Sequence, residues 1–243
     1  MKNPTETVHL LWTGGWDSTY RLLYLLWEGR RVQPHYIIDP NRPSSGNELH
    51  AMEEISERIN KKTEKLPGTL LPTEISRKRT SVQCKEVREA YNAIVKKMYI
   101  GEQYMWLADY CETRGIVGME IGVEENPIIL RAVNSAGYPY TEIFGKFCFP
   151  ILSTSKLEMQ DWAETTGTMP IMELTWFCHT PTTNAEPCGR CHPCEVTING
   201  GMAYRLPVSS RIRYHLRIIP RIRSFVKKFP GFYYALYRLK HNK

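Results

Sequence analysis

Val8-His9-Leu10-Leu11-Trp12-Thr13-Gly14-Gly15-Trp16-Asp17-Ser18-Thr19 is the stretch on which the fold turns. Its first five residues are largely apolar and stop at a glycine pair, the pattern of a buried strand, Val8 to Trp12, feeding a loop. The period then changes. Apolar residues at 22, 23, 25, 26 and 27 predict a helix from Ser18 to Glu28, opened by Asp17 and Ser18 and closed by Gly29. Strand, glycine turn and helix in that order place backbone N–H groups and a helix N-terminus at the carboxyl end of a strand, where open α/β sheets bind ligands.

The alternation continues outward. Val32 to Ile38 is a second strand candidate, closed by Asp39-Pro40, and composition makes Pro43 to Asn47 a loop. Glu48 to Lys62 is a helix with Leu49, Met52, Ile55 and Ile59 on one face. Thr69 to Ile75 reads as a third strand, weakened by Pro72. Lys85 to Lys97 and Glu102 to Thr113 read as helices, Ile116 to Ile121 as a strand at the sheet centre. Phe144 to Ile151 is apolar and aromatic, and Ser153 to Ser155 can cap a helix through Thr165. Strands alternating with helices predict a doubly wound, mainly parallel α/β sheet.

At the turn, Gly14 and Gly15 let the backbone approach a phosphate, Ser18 and Thr19 add hydroxyls, and Asp17 adds a carboxylate suited to magnesium. The glycine pair alone also fits an ordinary tight turn. No lysine follows it as in a Walker loop, and the spacing is not G-x-G-x-x-G.

A second cluster lies far downstream. Cys188-Gly189-Arg190-Cys191-His192-Pro193-Cys194, with Cys178 before it, has the spacing Cys-x9-Cys-x2-Cys-x2-Cys. Four thiolates close a tetrahedral zinc and make a structural site rather than a catalytic one. His179 and His192 adjoin ligand cysteines and are substitutes that four cysteines make unnecessary. A redox pair is the competing reading, though this run has one thiol more than a dithiol motif needs. Cys84, Cys111 and Cys148 are scattered and read as small buried hydrophobes. Seven cysteines so arranged suit a reducing compartment better than a disulfide scaffold.

The formal charge of +7 is uneven. Residues 196–243 hold eleven Lys and Arg and no Asp or Glu, so residues 1–195 are net acidic. The basic pI of about 9.0 comes from the last 48 residues. Residues 1–7 are polar and no apolar run nears the ~20 residues that span a bilayer, so a cytoplasmic protein is expected. The organisation predicted is an α/β domain carrying the glycine turn at 1–175, a zinc-binding segment at 176–206 and a basic amphipathic extension at 207–243.

Thr13-Gly14-Gly15-x-Asp17-Ser18 closely resembles the Ser-Gly-Gly-x-Asp-Ser signature of the ATP pyrophosphatase (PP-loop) family, which cleaves ATP between its α and β phosphates. The cysteine run downstream makes the pair similar to the 7-cyano-7-deazaguanine synthase branch of that family. So do Phe149-Pro150-Ile151-Leu152 followed by Lys156 and Glu158, and the approach from Glu173 to Cys178. The resemblance spans roughly residues 8–206. It implies a carbon–nitrogen ligase of queuosine biosynthesis that uses ATP, with magnesium, to adenylate a carboxylate-bearing 7-deazapurine. Ammonia then attacks, and a second activation dehydrates the amide to a nitrile. It also implies a homo-oligomer and a structural zinc on Cys178, Cys188, Cys191 and Cys194. Asp17, Ser18 and Lys156 would be catalytic, with Thr13, Gly14, Gly15, Asp17, Ser18, Thr19 and Ile38 holding the nucleotide.

Two segments depart from the branch. Its Pro-Gly-Arg-Asn is replaced by Ile100-Gly101-Glu102-Gln103, and its Ser-Gly-Tyr-Pro-Asp by Gly122-Val123-Glu124-Glu125-Asn126-Pro127. Ser135-Ala136-Gly137-Tyr138-Pro139 has a partial likeness without the aspartate. These departures leave open a divergent paralogue acting on a nucleic acid base or a protein. The basic residues 209–243, with Ile212, Leu216 and Ile219 spaced as a helix face, have three readings: nucleic-acid docking, an anionic membrane surface, or a helical cap packed on the core.

Overall fold

The computed structural model describes residues 6–61, 66–124 and 126–216. The chain forms two compact units, Met1–Trp176 and a second beginning at Phe177.

The first unit is a parallel α/β sheet. Its strands are β1 (Thr7–Leu11), β2 (Arg31–Ile38), β3 (Thr69–Leu70), β4 (Glu74–Arg77), β5 (Met119–Ile121) and β6 (Phe147–Cys148). They lie in the order β3-β2-β1-β5-β6, with β4 also paired to β2, and every pairing is parallel. The chain leaves β1 toward β2 and β3, then returns to β5 on the opposite side. The winding therefore reverses between β1 and β5, which is where such sheets open a crevice at their carboxyl ends.

Helix α1 (Trp16–Trp27) follows β1. Leu22, Leu23, Leu25 and Leu26 are fully buried, as the apolar spacing requires, whereas Trp27 is about half exposed and packs edge-on to Trp162. Helix α2 (Ser45–Asn60) starts earlier than composition suggests. Ser45, Gly46 and Asn47 are helical because Glu48 is buried and anchors the first turn. Its carboxylate accepts from the Ser44 and Tyr36 hydroxyls, both at 2.7 Å. The expected third strand is broken at Pro72 into β3 and β4, since proline cannot donate to the ladder. The Gln33 side-chain amide donates to the Pro72 carbonyl at 2.8 Å and bridges the gap.

Helices α3 (Lys85–Val95) and α4 (Gln103–Arg114) form where periodicity places them. Two short helices, α5 (Pro127–Val133) and α6 (Tyr140–Phe144), show no sequence periodicity because neither has enough turns to display one. Asn126 starts α5 by accepting from the Ile128 and Ile129 N–H groups. Val87, Ala90, Ile94, Ala108, Met119 and Phe144 belong to one buried cluster. Cys111 is buried in it as expected. Cys148 is exposed instead, on the terminal strand β6, and Cys84 is half-buried. Helices α7 (Lys156–Thr165) and α8 (Met169–Met172) complete the unit.

Among the described residues, the second unit holds the cysteine run, the α-helices α9 (His192–Thr197) and α10 (Val208–His215), and a π turn and a 3-10 turn between them. The predicted apolar face of α10 is not its packed face. Ile212 and Leu216 are exposed, while Ser210 is wholly buried. The remainder of the predicted basic extension, 217–243, lies outside the described residues. Among the described residues no helix is long and apolar enough to cross a membrane.

Candidate active site and candidate metal centre

The glycine turn joins β1 to α1 at the reversal of the sheet. Gly14 has φ +67°, and a β-carbon there would stand 2.9 Å from Met52 Cγ and 3.0 Å from the Glu48 carbonyl. Its own carbonyl accepts from the Trp176 N–H at 2.9 Å. Gly15 precedes the helix, which begins at Trp16. Asp17 and Ser18 therefore sit inside the first turn rather than ahead of it, among N–H groups that have no intrahelical acceptor. The Thr13 N–H donates to Ser18 Oγ at 3.3 Å, and that hydroxyl donates to the Gly15 carbonyl at 3.3 Å. Gly122, just past β5, packs where a side chain would meet the Ser18 backbone at 2.9 Å.

The fold brings Lys156 to this turn across 139 residues: its Nζ lies 2.7 Å from Asp17 Oδ1. It also lies 3.0 Å from Glu124 Oε2. A capping box presents the lysine. Ser155 Oγ accepts from the Glu158 N–H, and the Glu158 carboxylate accepts from the Ser155 N–H, so Lys156 is the first residue of α7. Burial alone would lower the Lys156 ammonium, but the Asp17 and Glu124 carboxylates outweigh it and hold it above its ordinary value. Burial pushes the Asp17 carboxyl up against the pull of Lys156. A cation between two carboxylates, next to first-turn N–H groups, is equipped to meet a polyphosphate and its counter-ion.

Beside the turn lies a pocket of about 440 Å³ at the carboxyl ends of β1, β2 and β5. Thr13, Tyr36, Asp39, Arg42, Ile121 and Gly122 contribute to its wall. Arg42 is held by the buried Glu48, its Nε 2.8 Å from Oε1. Of the predicted nucleotide contacts only Thr13 lines this pocket, and Thr19 and Ile38 are engaged elsewhere. Thr19 is fully buried, and its hydroxyl accepts from the Trp12 indole N–H at 3.0 Å, tying strand to helix. Ile38 ends β2, its carbonyl taken by the Lys78 N–H, while its neighbours Ile37 and Asp39 line the pocket.

No local sequence pattern marks Glu124, nor the Arg21–Glu120 pair that ties α1 to β5 through bonds of 2.6 and 3.0 Å. The available signals were an acid inside a short apolar strand and another just beyond its carboxyl end.

In the second unit, Cys178, Cys188, Cys191 and Cys194 bring their sulfurs within 4.8 Å of one another. Three of the separations are 3.5, 3.8 and 3.9 Å. A tetrahedron with zinc–sulfur bonds of about 2.3 Å has an edge of about 3.8 Å, so the cage fits such an ion. Backbone N–H groups already point at the sulfurs. Cys188 donates to Cys178 Sγ at 3.1 Å, and Arg190 and Cys191 donate to Cys188 Sγ at 3.2 and 3.3 Å. These donors favour thiolates. The four residues could hold a metal such as zinc, with neither His179 nor His192 in the group.

Helix α10 is fastened to this knuckle. Arg213 donates to the Cys188 carbonyl at 3.0 Å and to Ser210 Oγ at 2.7 Å, and Ser210 Oγ donates to the Pro187 carbonyl. A β-carbon on Gly189 would lie 2.0 Å from the Ser210 carbonyl oxygen.

No protein-family model matches the chain, and no curated protein matches it in sequence. Among solved structures, the chain is similar to a predicted subunit of tRNA methyltransferase from Methanocaldococcus jannaschii, at 14% identity and a TM-score of 0.38, over 65% of this chain and 74% of that one. It is also similar to a 4-thiouridine synthetase solved with RNA and bound ATP, at 18% identity and a TM-score of 0.41. That match takes in 84% of this chain but only 52% of the synthetase.

Proposed function

We propose that the first unit binds ATP at residues 13–18 and uses it to adenylate a carboxylate, which ammonia then attacks, in the manner of 7-cyano-7-deazaguanine synthases. The observation that carries this reading is the meeting of Lys156 with Asp17 at 2.7 Å beside a glycine turn at the sheet's reversal point. Both are residues that the family resemblance marks, and both are charged groups partly removed from water.

A carboxylate is a poor electrophile. Attack of its oxygen on the α phosphorus gives an acyl adenylate and expels pyrophosphate. Ammonia displaces AMP and gives the amide, and a second adenylation of the amide oxygen lets AMP leave as the nitrile forms. First-turn N–H groups and the Ser18 hydroxyl would receive the charge that builds on the departing pyrophosphate, and Lys156 would neutralise it. Asp17, a hard oxygen donor, would hold the magnesium that accompanies the nucleotide and screens its phosphates. Glu124 would keep Lys156 aimed at the turn when Asp17 is engaged elsewhere.

The acceptor is the more divergent half. Glu102, Gln103, Gly122 and Val123, which fall in the two segments that depart from the synthase branch, all line the pocket beside the turn. The test is incubation of the protein with ATP, ammonium and 7-carboxy-7-deazaguanine, followed for AMP, pyrophosphate and the nitrile. Asp17→Ala should abolish AMP release and leave zinc content unchanged. Turnover that survives that substitution would sink the assignment, and AMP formed with another acid but not this one would move the acceptor.

A further inference from the structure

We propose that the outward face of α10, together with the basic chain that follows it, docks on an anionic lipid surface. The helix is packed by its polar side. Ser210 is wholly buried, and Arg213 donates to the Cys188 carbonyl at 3.0 Å and to Ser210 Oγ at 2.7 Å. Val208 and Ile212, with Leu216 at the C-cap, are instead 60%, 52% and 63% exposed. They stand four residues apart, so they share one face and form an aliphatic stripe about 12 Å long. Turning the helix to bury that stripe would break the bonds that Ser210 and Arg213 make to the cysteine knuckle.

The charge around the stripe selects what covers it. No acid follows Glu195, and of the eleven Lys and Arg in residues 196–243 eight come after Leu216. The sequence there interleaves Ile219, Ile222 and Phe225 with Arg217, Arg221 and Arg223, residues that lie outside the described part of the chain. A second copy meeting this face through its own would set two uncompensated positive runs against each other. The same chain folded back over the stripe would crowd its cations against Arg211 and Arg213.

A nucleic acid strand matches the charge but not the stripe. Bases stack on aromatic rings, whereas Val208, Ile212 and Leu216 offer aliphatic groups only. An anionic bilayer meets both demands: aliphatic side chains enter the boundary of the acyl chains, and Lys and Arg stay among the headgroups. Lasting attachment to a membrane surface takes two such signals, and this segment carries one of each kind.

The test is cosedimentation of the full chain with vesicles of phosphatidylcholine alone, and of phosphatidylcholine mixed with phosphatidylserine. The protein should bind the second and not the first, and added salt should release it. Ile212→Ser should weaken that binding about tenfold, the effect of withdrawing one aliphatic side chain from the acyl boundary. Lys227→Gln combined with Lys228→Gln should also weaken it about tenfold. Because Ile212 is exposed in the free protein, Ile212→Ser should leave Tm and zinc content unchanged. A lowered Tm in that variant would overturn the proposal, since the stripe would then be covered by the chain itself or by a second copy, which gel filtration tells apart. Absence of binding to the phosphatidylserine vesicles overturns it outright, and so does binding equally tight in wild type and Ile212→Ser. A single-stranded RNA that binds more tightly than the vesicles, and less tightly to Ile212→Ser, overturns it in favour of nucleic acid.

Discussion

The glycine turn of the first unit and the cysteine knuckle of the second both depend on a glycine near φ +70°, yet they are built on opposite principles. Gly14 has φ +67° and Gly189 has φ +70°. At the turn, the polar groups already have partners: Ser18 is held by Thr13 and Gly15, and Lys156 by Asp17 and Glu124. The turn is complete without ligand, and a nucleotide would exchange partners there. At the knuckle four sulfurs converge, and the groups near them are backbone N–H donors and the Thr180 hydroxyl. These donors carry no full charge, and the four sulfurs could take a metal cation such as zinc.

The strongest way to break the contrast is to withhold that cation. Chelation, or Cys178→Ser, should remove a stabilisation on the order of 10 kcal/mol, seen as loss of bound zinc and of amide-exchange protection over residues 178–213. Protection that persists in the metal-free protein would mean that the cysteines pack as ordinary apolar residues.

The two glycines offer a finer comparison. Alanine costs each about 1–2 kcal/mol for its left-handed backbone. At Gly189 the new β-carbon also meets the Ser210 carbonyl oxygen at 2.0 Å, whereas at Gly14 the nearest atom is the movable Met52 side chain at 2.9 Å. Gly189→Ala should therefore cost several kcal/mol, including the Arg213 contacts to the knuckle, and Gly14→Ala about 1–3 kcal/mol. Equal losses of Tm would show that backbone strain dominates and that the neighbours yield.

Acid separates the regions by a different route. His35 is buried on β2, 2.8 Å from His9 and 3.0 Å from the Tyr110 hydroxyl, and burial lowers it to about 4. A base depressed in this way binds fewer protons folded than unfolded. Stability of the first unit should fall as pH drops from about 6.5 to about 4, by on the order of 3 kcal/mol. Urea denaturation across that range would show it, and His35→Gln should flatten the slope. A slope unchanged in that variant would assign the acid sensitivity to other groups.

The smallest expected effect is at the cap that presents Lys156. Ser155→Ala should cost about 1 kcal/mol by urea denaturation. Its larger consequence should be a rise in the KM for ATP, because the first turn of α7 loses its hold on the lysine. An unchanged KM would show that Asp17 and Glu124 suffice to place it.

Much of this site was legible in the chain. The 3.6-residue spacing of Leu22, Leu23, Leu25 and Leu26 marks α1, and Ser155 with Glu158 marks the start of α7, since both signals lie within a few residues. Pro72 announced the break between β3 and β4. The four cysteines were legible because metal ligation demands particular residue types at short spacing. Helices α5 and α6 were not, because seven and five residues display no period. Nor was the buried role of Thr19, whose hydroxyl looks the same in sequence whether it meets a phosphate or Trp12.

The sequence by itself determined the alternation of the longer strands and helices, the glycine turn and the cysteine spacing, since each depends on neighbours in the chain. Only the tertiary structure decided that Lys156 meets both Asp17 and Glu124, and that Ser210 rather than Ile212 is the packed side of α10. Those contacts join residues far apart in the chain. No local pattern records them.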